Sequence, residues 1–454
     1  MTNTTDSLLP LNWRIAKIGD LFESWGGHTP SKTNSAYWGD GIPWISSKEV
    51  KGKLISTSKY SVTQKAIDET RLRVCPVGSV LVVVRSGILA HTLPVAVTEV
   101  PVTINQDLKA FFSNEPLMND WLATFLCMSA PELLATSRRD GTTVQSVQYP
   151  LLKNTLIPIP SLAERRLILD AIDRVAIKKT SVIARLSVAR RVVECFRQAA
   201  LVAACSGRLT TDWREAHSHV SPARVVLANK RNQLREKLGR HYRAHQMPRI
   251  TDLPEIPASW AWAPLPELGE LGRGKSKHRP RNDPRLYGGP YPFIQTGDVA
   301  RSDGRITAHS QAYNEVGLAQ SRLWPERTVC ITIAANIANS GLLTYPACFP
   351  DSVVGLIADE HLVFPEYVEF FMRTARRDLS AFAPATAQAN INLAILSQLA
   401  VAVPPIEEQE EIIRRVSQML SLADGFLARI DTASCCVDRT SQAVLAKAFR
   451  GDLH

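Results

Sequence analysis

The sequence predicts an α+β protein: two strand-rich domains joined by two long antiparallel coiled-coil helices, with a pseudo-two-fold internal repeat. Three observations predict it. First, Pro160 to Leu209 matches Pro404 to Leu453 at a constant offset of 244 residues: IPSLAERRLI faces VPPIEEQEEI, and QAALVAACSGRL faces QAVLAKAFRGDL. Second, each matching segment carries a sustained heptad pattern, which favours helix-on-helix packing. Third, the stretches before these helices correspond in the same order, with loop-sized drifts in offset. NWRIAKIGDLFE (12–23) resembles SWAWAPLPELGE (259–270), IPWISSKEV (42–50) resembles YPFIQTGDV (291–299), and CPVGSVLVVVRSG (75–87) resembles WPERTVCITIAAN (324–336).

In chain order the expected elements are these. A first mixed, strand-rich domain occupies 11–160, and a first spacer helix follows over 161–206. Its seam is Ile168, Ile172, Val175, Val182, Leu186, Val193 and Phe196, broken by Lys179. Residues 207–257 form a linker. Its start is polar and turn-like, and Ala223–Arg243 reads as a basic helix, most simply a solvated one, otherwise one that touches phosphates or a partner. A second domain covers 258–403 and a second spacer helix 404–451. Its seam is Ile412, Val416, Met419, Phe426, Ile430, Val437 and Val444, broken by Thr440 and Lys447. Two self-similar seams around a two-fold axis make the helices antiparallel. About 40 helical residues at 1.5 Å rise span about 60 Å, enough to hold two domains at a fixed separation.

Bulk properties narrow the function. Of 454 residues, 45% are hydrophobic, enough for real cores, and 53 Lys and Arg against 43 Asp and Glu leave a net charge of +10. That excess suits a polyanionic partner, DNA or RNA foremost. No apolar run approaches the roughly 18 residues of a membrane span, and the N-terminus lacks a secretion pattern, so a cytoplasmic protein is expected. The eight cysteines include no CxxC and read as reduced, mostly buried thiols.

The search for catalytic chemistry finds little. Gly269–Ser276 fits G-x-x-x-x-G-K-[ST], but such a loop must link a buried strand to a helix so that backbone N–H groups converge on phosphates. Here Pro264 and Pro266 precede it, KHRPRNDP follows it, and the repeat's counterpart, WGGHTPS (25–31), has no lysine. A basic glycine-rich loop near nucleic acid explains it better. His217, His219, His241 and His245 lack the glutamate of an H-E-x-x-H metal site, Tyr242 standing in its place. Pro404-Pro405, between Val403 and Ile406, lacks the polar and aromatic neighbours that an adenine methyltransferase needs. No catalytic or metal-binding residues are therefore assigned.

In its duplicated order the chain resembles the specificity subunits of type I restriction–modification systems. The resemblance rests on the openings at Trp13 and Trp260, the IPW and YPF segments, the helix starts with Glu164-Arg165 and Glu408-Gln409, and the helix ends SGRLTTDWRE and FRGDL. It implies two target recognition domains, each reading one half of a bipartite, asymmetric site on double-stranded DNA. The helices would set the unread spacer and dock two DNA adenine methyltransferase subunits, with restriction/translocase subunits joining later. S-adenosylmethionine, ATP and magnesium would belong to those partners, and this chain would hold no cofactor. The long basic linker departs from the family's simplest layout. Base reading would fall to polar and basic side chains in predicted loops: Lys48, Glu49, Arg85, Ser86, Arg138 and Arg139 in the first domain, and Lys275, Lys277, Arg279, Arg281, Gln295 and Asn336 in the second. Two other classes stay open at this point: a nucleotide-binding enzyme using 269–276, and a coiled-coil adaptor for proteins alone.

Overall fold

A computed structural model of the chain describes residues 10, 12–139, 145–245, 253–278, 280–334, 338–381 and 392–452. It divides into two compact units, 1–187 with 431–454, and 188–430. Each unit thus holds one domain, a segment of the first long helix and a segment of the second.

The first domain is built on a five-stranded sheet in the order Glu23–Gly26, Leu108–Phe112, Val80–Val83, Val95–Thr98, Leu54–Ile55. The second repeats it with Gly269–Arg273, Val353–Ala358, Val329–Thr332, Ser340–Leu343 and Gly304–Ile306. In both, only the last pair is parallel. The central strands VLVV and VCIT are buried on both faces, which is why they read as unbroken apolar runs rather than alternating ones. One face of each sheet is covered by a helix, Met118–Ser137 or Pro365–Ala381. A bulged antiparallel strand pair packs beside each sheet, Trp38–Ile45 with Ser61–Val62 and Tyr287–Phe293 with Gln311–Tyr313. A two-stranded ribbon closes each domain, Arg14–Lys17 with Leu156–Ile159 and Ala261–Pro264 with Ala400–Val403.

The long helices run Leu162–Cys205 and Ile406–Arg450. Within the first unit, Ile168 and Ile172 share a core with Ala448 and Phe449, while Lys179 pairs with Asp438 at 2.7 Å. Within the second, Leu201 and Ala204 share a core with Ile412 and Val416, and Arg197 lies 3.5 Å from Asp424. Rising numbers on one helix meet falling numbers on the other, so the segments are antiparallel in each unit. Both helices stop at a left-handed glycine, Gly207 and Gly451, each with φ of +77°. A Cβ on Gly207 would fall 2.4 Å from Pro257 Cγ, and one on Gly451 2.3 Å from Pro10 Cγ. The glycines of SGRL and RGDL are therefore required twice over, and the two helix ends are finished alike.

Three sequence expectations need correction. The seam is not continuous: Ile168, Ile172, Ile412 and Val416 are buried, but Val182, Phe196 and Phe426 are exposed. A straight helix drifts about 20° per heptad against a strict seven-residue repeat, so an apolar stripe leaves a two-helix contact within a few turns unless the pair supercoils. The linker helix, Ala223–Leu238, is docked along one face and solvated only along the rest. Ala223 and Leu227 are buried in the second domain's core, Lys230 binds Asp359 at 2.5 Å and Arg231 binds Glu267 at 2.7 Å. Finally, all eight cysteines are free, yet only Cys75, Cys205, Cys330 and Cys348 are buried.

Candidate nucleic-acid interface

The duplicated helix starts fix each domain to its helix, and so determine which end of the sheet is left for ligands. Arg165 is buried and donates to Pro116 O (2.9 Å) and Glu115 (2.8 Å), just beyond the Glu23/Phe112 end of the first sheet. Gln409, at the same position in the repeat, accepts from Phe364 N–H (2.9 Å) and donates to Leu362 O (3.0 Å), near the Gly269/Ala358 end of the second. Glu408 is fully buried. It accepts from Thr210 Oγ1 (2.6 Å), Arg214 Nη1 (2.5 Å) and Trp260 Nε1 (2.8 Å). Its counterpart Glu164 is more exposed and accepts from Asn12 and Ser161.

The opposite end of each sheet carries the loops. In the first domain they are tied to one another: His28 N–H to Ile104 O (2.9 Å), Asn105 N–H to Ile45 O (3.0 Å), Val84 N–H to Asp107 O (2.8 Å) and Ser86 N–H to Gln145 O (3.1 Å). Arg85 and Ser86 fall here, and Ser146–Val147 pairs with the strand Arg138–Arg139 and bridges to Arg85. Lys48, exposed, lies on the turn after Ile45. In the second domain Gly274 N–H bonds Val353 O (2.9 Å), Ile333 N–H bonds Ser352 O (3.0 Å) and Ile294 N–H bonds Cys348 O (2.8 Å). Lys275, Lys277 and Arg281 are exposed on the loop after Gly274; Arg281 pairs with Asp351 at 2.6 Å. Arg279 and Asn336 lie outside the described residues.

Two of the predicted readers have other work. Glu49 accepts from Ser46 N–H and Oγ on one oxygen and from Ser58 Oγ and Lys59 N–H on the other, at 2.7–2.9 Å. Burial pushes its carboxyl up, but these four bonds outweigh that and hold it below the usual carboxylate range. With both oxygens engaged, Glu49 is a brace between two loops, not a base reader. Asp298 repeats the device, accepting from Gln295 N–H (2.9 Å) and Ser310 Oγ (3.1 Å). Gln295 spends its amide on Gln311, at 2.5 Å. The network was legible only in part, because Ser58, Lys59, Ser310 and Gln311 lie 9 to 16 residues from the groups they bond.

The phosphate-loop match dissolves in the fold. Gly269–Arg273 is a sheet strand, not a loop, and Gly274 is required because a Cβ there would sit 2.3 Å from the carbonyls of Phe349 and Pro350. Ser276 is buried, 3.3 Å from Tyr313 Oη. His217 stacks on Trp213, with centroids 4.3 Å apart. Among the described residues no group of three or more His, Cys, Asp or Glu could hold a metal ion.

Sequence reasoning also missed a cleft. In the first domain Lys32, Ser35, Trp38, Trp44 and Tyr60 line an open cleft of about 400 Å³ beside the 27–34 loop. The available signal was the match of 25–31 to the basic loop 269–276, which marks this loop as Lys275's counterpart.

One buried acid gives the second unit a pH dependence. Burial pushes Glu369 up to about 8, against the opposing pull of Arg373 3.9 Å away. Arg373 also binds Asp303 (2.8 Å), which pairs with Arg197 of the first long helix. The folded state therefore keeps a proton that the unfolded chain releases near pH 4.5. Stability present below that pH is lost as pH rises through 8. Thermal unfolding should show this loss, on the order of a few kcal/mol, between pH 5 and 8.5. Glu369→Gln should flatten the slope and be the more stable protein at pH 8.5. Parallel wild-type and variant curves would contradict the assignment.

Comparison with known proteins follows the duplicated geometry. The model of the type I restriction modification DNA specificity domain matches residues 10–186 and again 257–430. The specificity subunit of the Escherichia coli type I enzyme EcoR124I/EcoR124II is 32% identical over 165 residues, 36% of this chain and 40% of that one. That of StySPI from Salmonella potsdam is 24% identical over 454 residues, 98% of this chain and 90% of that one. A solved chain of a type I R-M system superposes with a TM-score of 0.71 at 17% identity, covering 98% of this chain and 99% of its own. The HsdS subunit of Thermoanaerobacter tengcongensis gives 0.53 at 18% identity, covering 98% of each.

Proposed function

This chain belongs to the type I restriction–modification DNA specificity family, and from that premise we propose that it is the non-catalytic, sequence-reading subunit of a DNA methyltransferase complex. Each domain reads one half of a bipartite, asymmetric site on double-stranded DNA, and the paired helices set the spacer between the halves. The observation that carries this reading is the double match of the specificity-domain model to two copies of one topology. Both copies present exposed basic loops at the sheet end away from the helix start: Lys48 and Arg85 in one, Lys275, Lys277 and Arg281 in the other. Lysines and arginines there supply salt-dependent phosphate affinity and position the domain, while base-edge contacts discriminate by about 1–3 kcal/mol each.

The partners in this reading are two DNA adenine methyltransferase subunits docked on the helices, and restriction/translocase subunits that join the complex. They bring S-adenosylmethionine, ATP and magnesium, and this chain brings the address. No described helix is long and apolar enough to cross a membrane, and the cytoplasm, where the DNA is, is the place of action. The test is direct. Purified alone, the chain should transfer no methyl group from labelled S-adenosylmethionine to duplex DNA, and adding the methyltransferase subunit should produce sequence-specific adenine methylation. Methylation by the chain alone, or partner-driven methylation without sequence preference, would defeat the proposal.

A further inference from the structure

We propose that the aromatic cleft of the first domain is a binding site for one unstacked nucleobase of the first half-site, an inference that rests on the DNA-reading function above. Its floor is Trp44, its wall Trp38 and its rim Tyr60, with Trp38 edge-on to Trp44 at 5.2 Å and to Tyr60 at 6.1 Å. Trp44 is buried, whereas Tyr60 is 49% exposed. Both indole N–H groups are consumed inward, Trp38 on Ser31 O (3.1 Å) and Trp44 on His28 O (3.0 Å). With their N–H groups engaged, the indoles leave the cleft aromatic carbon surface, which suits a flat aromatic ligand of any base identity. A volume of about 400 Å³ is within the range of ligand pockets.

The charge around the cleft selects the same ligand. Lys32 lines it, and Lys59 Nζ lies 5.4 Å from the Tyr60 ring centroid. Among the described residues no carboxylate lines it. Aromatic rings alone can hold a cation, but the basic rim repels one, whereas a basic rim over an aromatic floor fits a planar base flanked by phosphates. The cleft also adjoins the 27–34 loop of the candidate interface, through the Trp44–His28 bond. A base paired and stacked inside a duplex cannot lay its face on an indole, so the occupant is a base turned out of the stack.

The second domain differs at the same place. There the strand register puts Phe293 where Trp44 stands and Gln311 where Tyr60 stands. Phe293 is stacked on the fully buried Tyr313 at 4.1 Å, and no aromatic ring takes the place of the Tyr60 rim. The base pocket is therefore assigned to the first half-site.

The experiment uses the assembled complex of full chain and methyltransferase on its mapped target duplex, with affinity measured at fixed salt. Tyr60→Ala removes the rim, and Ser35→Trp fills the cleft from an exposed position. Neither replaces a buried residue, and each variant is used only if it melts like wild type. Both should weaken binding about tenfold, in line with the loss of one stacked base. Single abasic sites are then stepped through the first half-site. At one position wild type should lose about tenfold and the variants nothing further, which identifies the captured base. Wild-type affinity in both variants, or abasic losses equal in all three proteins at every position, would overturn the proposal. So would loss of methyltransferase assembly with DNA affinity intact, because the cleft would then dock protein. If the wild-type complex does not prefer its target to a scrambled duplex, the DNA-reading function itself fails, a result separable from the others.

Discussion

Glu408→Ala should destabilise the second unit by about 3–5 kcal/mol, the range seen when one partner of a buried ion pair is removed. Glu408 has no exposed surface, and its three donors converge from two segments: Thr210 and Arg214 after the first long helix, and Trp260 at the entrance to the second domain. Removing the carboxylate strands the Arg214 charge and the Trp260 N–H together. Glu164→Ala deletes the same residue of the repeated motif, but Glu164 is partly exposed and its donors, Asn12 and Ser161, can turn to water. It should cost far less. Chemical denaturation of both variants checks this. Equal, small losses would show that Glu408 is not the pin between helix start and domain.

That contrast also marks how far the sequence could be read. The motif was visible twice because an offset of 244 residues superposed Glu164 on Glu408, and one of 247 superposed Trp13 on Trp260. Duplication also exposed the common strand order, since VLVV and VCIT fall at matching places and are buried alike. What the repeat could not carry was anything set by a neighbour distant in sequence. Arg214 neutralises Glu408 across 194 residues, and no local pattern announces it. Lys230 and Arg231 looked solvated because Asp359 and Glu267, which dock the linker helix, are 129 and 36 residues away. The heptad pattern named the right helices, yet Phe196 and Phe426 are exposed, because periodicity fixes a stripe and not how long two helices keep it in contact. Lys48, Arg85 and Lys275 were legible as basic residues in loops between strands. Glu49 was legible only as a charge, and its four donors make it a brace. The aromatic cleft was least legible of all, since Lys32, Trp44 and Tyr60 meet only when the chain folds back on itself.

The central claim is that two copies of one recognition domain read two half-sites independently. Replacing residues 11–155 with the corresponding domain of a relative tests it most directly. The exchange leaves intact both long helices and the helix-start pin at Glu408. It also spares the left-handed glycine ends, so the spacing device is unchanged. Because each half-site is recognised by contacts of its own, losing the correct base at one position costs about 1–3 kcal/mol and several such losses abolish the old half. The measurement is the genome-wide map of methylated adenines in cells carrying the exchanged chain with its methyltransferase. The account predicts a new two-part motif in which one half has changed completely, while the other half and the unread gap keep their sequence and length. A map in which both halves change together, or in which the gap alters, would contradict it.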